Sequence, residues 1–417
     1  MPPALKPRVE STKPSFFITY DGLLDPLGTS QIVPYLQEIS AHPRKLYVLS
    51  FEKDERLHPE YSDLKDHLAK SGIKWTVLKF TRRFGVVGKA WDLLRMYLMS
   101  LVIVVRLRPA IVHARGHSAA QVGLLLKRLF GLKLIFDFRG LWVDERVDKG
   151  SWNLAHAPHR WQYLYFKRVE RKLLRYTDQL VVLTEAVVPE VRRLGRSPST
   201  GVTVIPCCAD FEHFPLVTTF SRAQARECLE IPRESRVLGY LGSTGRMYRI
   251  DRLFRLFELA VGDYNKSYLL VVTRDVSRLR SLMAEHLPTV LHERVHVVSA
   301  SRPQVPHFIA AMDVMVSFIQ PSYARMAASP TKLAECFAAG IPVICNSGVG
   351  DVVEQVRALR AGQLVDLNSD SDLITAAAAL GVITKMGGAR LRDEARKVLG
   401  LEVASMRYKA VYAELDR

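Results

Sequence analysis

The sequence predicts two doubly wound α/β domains that face each other across a cleft. Three observations carry this. Short apolar runs alternate with helical stretches from Phe16 to Ile205, and the same alternation restarts at Arg236. The length, 417 residues, also exceeds what one core usually serves.

In order, residues 1–14 are polar and Pro-rich and read as a loose start. A first domain is expected over 15–206. Its strands are Phe16–Thr19, Lys45–Leu49, Lys74–Leu78, Ala110–Ala114, Lys133–Asp137 and Gln179–Leu183. Its helices fall near Ser30–Ile39, Trp91–Arg106, Ala119–Phe130 and Arg160–Tyr176. A second domain is expected over 207–390, with strands at Arg236–Leu241, Leu269–Val272, His296–Val298, Val314–Phe318 and Val343–Cys345. Residues 391–417 read as a helical segment that packs back across the molecule. In such sheets, ligands collect at the carboxyl ends of the strands.

Hydrophobic residues make up 48% and charged residues 24%, values that permit a sizeable core. Lysine and arginine total 59 against 42 acidic residues, a net charge of +17, which favours an anionic partner such as a phosphorylated substrate or anionic lipid. The five cysteines show no metal-ligand spacing, and the first residues lack a secretory leader. A reduced, cytoplasmic protein without a metal is the expectation. The apolar run Met96–Val105 is too short to span a bilayer, but Lys89, Trp91, Arg95, Tyr97 and Arg106 surround it. A helix of that make-up suits either the core or an anionic membrane face.

Four strand-to-helix loops hold candidate groups. In the first domain, Asp25 and Gly28 follow the first strand, Arg115 and His117 follow the fourth, and Asp137, Arg139 and Trp142 follow the fifth. In the second, Gly242, Ser243, Arg246 and Arg249 form a glycine-bearing turn whose arginines can reach phosphate. Neither turn is GxGxxG, which argues against a dinucleotide-dependent oxidoreductase, and no P-loop or GxSxG is present. Asp370-Ser371-Asp372 has the outline of a metal motif but reads as a helix cap.

The most informative run is Ser329 to Ile344. Ser329 reads as an N-cap, Pro330 suits the first helical position, and Gly340 is placed to end the helix before Pro342. Leu333, Cys336 and Phe337 share a core face. The free amides at the helix start suit a diphosphate, and Glu335 one turn on suits the hydroxyls of a ribose.

Together, Gly22–Gly28, Asp137–Trp142, Ile205–Phe214 and Ser329–Ile344 resemble retaining glycosyltransferases of family 4, in particular those with an SPTKLxE-type donor motif. The resemblance runs from about Phe16 to Tyr412. It implies the GT-B architecture, with two Rossmann-like domains, the acceptor held by the first and a nucleotide-sugar by the second. It implies donor contacts at Gly28, Gly242, Ser243, Thr331, Lys332, Leu333 and Glu335, and acceptor contacts at Asp25, Asp137, Arg139 and Trp142. Arg115, His117, Arg246, Arg249 and Lys332 are the candidate catalytic cations. No cofactor, metal or nucleic acid is implied. A UDP-sugar is favoured, then GDP-mannose, with a lipid-linked or glycan acceptor at the cytosolic face of a membrane.

The chain departs from that pattern at three places. The first glutamate of E-x7-E falls on Ala327. The phosphate-binding Arg and Lys of the glycine loop fall on Ser243 and on Tyr248 or Arg249, and the catalytic-loop histidine aligns nearest Arg115, two residues before His117. These changes leave two alternatives beside the transferase: a non-catalytic nucleotide- or sugar-binding homologue, and a nucleotide-sugar epimerase.

Overall fold

The computed structural model describes residues 14–416 apart from 41–43, 54–60, 82 and 84; the loose start at 1–14 falls almost wholly outside this range. The first sheet is built from β1 (Ser15–Thr19), β2 (Leu46–Glu52), β3 (Ile73–Lys79), β4 (Ile111–Arg115), β5 (Lys133–Asp137), β6 (Gln179–Val182) and β7 (Val202–Val204). All its pairings are parallel, in the order β3-β2-β1-β4-β5-β6-β7. Its central strands are buried along their whole length because helices cover both faces.

The second sheet repeats the plan. It holds β8 (Arg236–Leu241), β9 (Ser267–Val272), β10 (Val295–Val298), β11 (Val314–Ser317), β12 (Val343–Asn346) and β13 (Gly362–Val365). The parallel order is β10-β9-β8-β11-β12-β13, so strand order reverses beside the first strand in both domains. In such sheets that reversal opens the binding crevice, here after β1 and β4 in one and after β8 and β11 in the other.

The chain crosses between domains twice, side by side. The amide of Ala209 donates to Leu399 O at 2.9 Å, and Leu401 N donates back to Ala209 O at 3.1 Å. Gly400 fits this crossing because a β-carbon there would stand 2.6 Å from Arg396 O. The helical tail divides at this glycine. Leu391, Ala395 and Leu399 of the helix Ala389–Leu399 belong to the core of the second domain. The helix Leu401–Asp416 lies on the first, where Ala404, Tyr408, Val411 and Tyr412 pack with Tyr35, Ile111, Ile135 and Val181.

Candidate active site

The helix from the most informative run spans Thr331–Ala338. Its end follows the expected chemistry: Gly340 takes φ +74°, and the amides of Gly340 and Ile341 return to Phe337 O and Cys336 O at 3.0 and 2.8 Å. Its start does not. Pro330 is the capping residue, while the Ser329 hydroxyl accepts from Cys207 N at 3.1 Å in the interdomain linker. No side chain caps the helix, and among the described residues the amides of Thr331 and Lys332 find no backbone acceptor. Two N–H groups and the positive dipole end are therefore left for an anion. Leu333 offers no such group, because its amide returns to Pro330 O at 3.1 Å and its side chain is buried.

Lys332 stands beside them. Its Nζ is sealed from solvent and has no hydrogen-bond partner among the described residues, held between the rings of Tyr240 and Tyr248 at 4.7 and 4.8 Å from their centroids. Cation–π attraction offsets only part of the lost hydration. Burial pushes the ammonium down to about 8, with only slight opposition from the Cys336 thiol. Lys332 thus brings an ammonium from the helix to the rings of a strand-end and a glycine-loop tyrosine. The glycine loop itself is pinned: Ser243 Oγ and Thr244 N donate to Asp275 at 2.7 and 2.9 Å.

Glu335, three residues on, accepts from Arg302 Nη1 at 2.9 Å, and Arg302 lies over the ring of Phe214. Arg249 is committed to Asp251, at 2.7 and 2.9 Å, and borders a cavity of about 150 Å³ with Gln320, Asn346 and Asp366 at the carboxyl ends of β11–β13. Arg246 is exposed and reaches toward Gly150 of the first domain.

In the first domain, Asp137 ends β5 as a buried hub. Arg115 Nη1 donates to it at 3.0 Å, Tyr408 Oη at 3.2 Å and Arg139 Nη1 at 3.4 Å. Burial alone would raise this carboxyl, but Arg139 and Arg115 outweigh it and hold it below its ordinary value. The neighbouring His113 is pushed down to about 4, chiefly by burial, which outweighs the opposing pull of Asp137 and is aided by the two arginines, so it is neutral at pH 7. Arg139 also reaches Cys207 Sγ at 3.4 Å, which ties the hub to the linker.

Other candidates are placed differently. His117 is buried inside the domain, its Nε2 3.0 Å from Glu170 and its ring among Phe136, Phe138 and Trp142. Glu170 in turn binds Lys167, which bridges to Asp144. Trp142 therefore belongs to this aromatic cluster. Asp25 is paired with Lys53 at 2.8 Å. Gly28 closes its own loop, since a β-carbon there would stand 2.0 Å from Gly22 O. The structure thus gathers Thr331, Lys332 and Glu335 on one side and Arg115, Asp137 and Arg139 on the other.

The segment carrying Ala327 bridges the two sides. Ala324 and Ala327 are buried in the core of the first domain, and Thr184 Oγ1 donates to Met326 O at 2.7 Å. Arg325 lies 4.0 Å from Glu145, and Glu145 Oε1 and Ala327 O both approach Gly140. Ala327 is thus packed against the other domain, beside an acidic residue. Restoring the family glutamate by Ala327→Glu should lower stability by at least about 2 kcal/mol, because a charge would enter a filled, apolar contact. Urea unfolding measures this; an equally stable variant would show that the space is open.

Sequence reasoning passed over Tyr240, Arg302 and Asp275. Tyr240 reads as strand core, and Arg302 pairs with a glutamate far along the chain. Only for Asp275, at the carboxyl end of β9 and facing the glycine loop, did strand-end position give a usable signal.

Family models match both domains. Residues 49–208 match the glycosyl transferase 4-like domain, and residues 221–381 match glycosyl transferases group 1. No curated protein matches the chain in sequence. Among solved structures, sucrose-phosphate synthase from Thermosynechococcus elongatus has a TM-score of 0.71 at 16% identity, covering 97% of this chain and 99% of that one. Anabaena HepE, solved with UDP and glucose, scores 0.69 at 13% identity, with 96% and 100% covered. WaaG, a glycosyltransferase involved in lipopolysaccharide biosynthesis, scores 0.66 at 17% identity, with 94% and 99% covered. At these identities the likeness establishes the fold alone.

Proposed function

The chain belongs to the glycosyltransferases of GT-B architecture, and on that premise we propose that it moves a sugar, with retention, from a nucleotide-sugar to a lipid-linked or glycan acceptor at the cytosolic face of a membrane. The observation that carries this is the pairing of an unpartnered Lys332 ammonium with the free amides of Thr331 and Lys332. In transfer, the bond between the anomeric carbon and the diphosphate breaks as an acceptor hydroxyl attacks from the same face. The hydroxyl proton passes to the departing phosphate oxygen. Charge grows on the diphosphate, and preorganised dipoles with one cation stabilise it without a metal.

Glu335, held by Arg302, takes the ribose hydroxyls. Arg115 and Arg139, fixed by Asp137, face the acceptor side. A UDP-sugar is the favoured donor, supported by the UDP held by HepE, with GDP-mannose next. Lost hydrogen bonds to a charged group cost about 1.5–3 kcal/mol, so Glu335→Ala should raise the donor KM by roughly tenfold or more with a smaller change in kcat.

The decisive experiment incubates the protein with UDP-, GDP- and ADP-sugars and a membrane extract. Label transferred to lipid or glycan supports the proposal. Nucleotide binding without turnover would make it a binding homologue, and sugar isomerisation without acceptor would make it an epimerase.

A further inference from the structure

We propose that the outer face of three helices in the first domain docks on an anionic lipid bilayer. The helices are Gly85–Leu107, Gly116–Phe130 and Ala157–Tyr176, which lie side by side on one face of the sheet. The first buries Met96 and Val104 in the core, so it is a true core helix. Its opposite side exposes a continuous stripe: Trp91 (53% exposed), Leu94, Leu98 (54%), Val102 and Val105 (61%). The other two helices extend the patch with Leu129 and Phe130, and with Trp161 and Leu164. A monomer seldom exposes so many large apolar side chains together without a partner for them.

The charge on this face identifies the partner. The acidic residues of the three helices are Asp92 and Glu170, and both are fully buried in ion pairs with Arg95 and Lys167. What faces outward is basic and interleaved with aromatics: Lys89, Arg106, Arg128, Arg168 and Arg175 are exposed, and Arg128 and Arg175 lie over Tyr176. Two copies of this face would repel one another. A nucleic acid would leave the aliphatic stripe without a partner. A bilayer surface meets both needs, since acyl boundary accepts leucine and valine while anionic headgroups accept arginine and lysine. Among the described residues no helix is long and apolar enough to cross a membrane, so the contact is one of lying on the surface.

The orientation follows from the topology. All three helices begin at the strand-carboxyl end of the sheet, so Trp91 and Trp161, each within two turns of a helix start, mark the edge of the patch nearest the cleft. Tryptophan prefers the headgroup zone. Docking therefore brings the mouth of the cleft to the depth of a lipid-linked acceptor, and to that extent this inference rests on the acceptor reading above.

The test is sedimentation of the full chain with phosphatidylcholine vesicles, with and without phosphatidylglycerol. The wild type should pellet only with the anionic vesicles. The double variant Leu94→Glu, Leu98→Glu should bind roughly tenfold less, with unchanged melting temperature, because it puts charge on the exposed stripe. Trp161→Ser, on a separate helix, should weaken binding independently. A wild type that stays in the supernatant with both vesicles, or a double variant that binds equally well, overturns the proposal. So does a wild-type dimer that ignores vesicles and is split by the double variant. UDP titration of the same samples keeps the two readings apart, because its failure would count against the transferase while leaving the vesicle result intact.

Discussion

Lys332→Met is expected to lower kcat by about two to three orders of magnitude while raising stability. In the proposed reaction the loss follows from removing a fixed cation that faces the departing diphosphate, the kind of group whose deletion costs about 10²–10³ in rate. The gain follows from the same burial. An ammonium whose pKa falls from 10.5 to about 8 on folding penalises the folded state by roughly 3 kcal/mol wherever both states are protonated, that is, below pH 8. Between pH 8 and 10.5 the unfolded chain holds the proton more tightly, so wild-type stability from this group rises with pH and the advantage of the variant fades. Methionine keeps the length of the stem between Tyr240 and Tyr248 without the charge. Donor binding should reverse the depression, because a diphosphate favours the charged amine. UDP binding at pH 9 should therefore take up protons, which calorimetry in buffers of different ionisation heat detects. Unchanged kcat in the variant would remove Lys332 from the reaction.

Asp137→Ala should be the most destabilising substitution in the cleft, at about 3–5 kcal/mol, because it strands Arg115 and Arg139 as buried charges and removes the acceptor of Tyr408. Asp137→Asn, which keeps the shape and one acceptor oxygen, should recover part of the loss. The pH dependence has a definite sign. The carboxyl of Asp137 is held below its ordinary 3.8, so its stabilisation is present above that value and lost as pH falls through the folded-state pKa. Wild type and variant should therefore converge only in strong acid. Urea unfolding followed by first-domain tryptophan fluorescence reads the difference; equal stability at pH 7 would show that solvent replaces the carboxylate.

Much of the architecture was legible because it depends on local pattern. Both sheets announced themselves as short apolar runs between helices, and Gly340 ended its helix as a left-handed glycine should. What escaped depends on contacts distant in sequence. Ser329 looked like a cap, yet its acceptor role serves Cys207, 122 residues away. Charge and a place at the helix start point to Lys332; the two tyrosines that enclose it come from a strand end and a loop some ninety residues earlier, and neither shows aromatic pairing in one dimension. His117 sat in a productive loop, but the Glu170 that draws it inward lies 53 residues on. The apolar helix near Trp91 was readable, whereas its continuation across two further helices required knowing which sides the sheet had already covered.

The tail helix Leu401–Asp416 sets the order in which this molecule can be completed. Tyr35, Ile111, Ile135 and Val181 belong to a domain that is nearly finished by residue 206, yet the side chains that cover them leave the ribosome only after the second domain. During synthesis the first domain must wait, with part of one sheet face uncovered, until the entire second domain has been made. Tyr408 then arrives to meet both His113 and Asp137. Tyr408 also donates to the Asp137 carboxylate that holds Arg115 and Arg139, so a chain cut before residue 401 would leave that buried cluster without one of its hydrogen bonds.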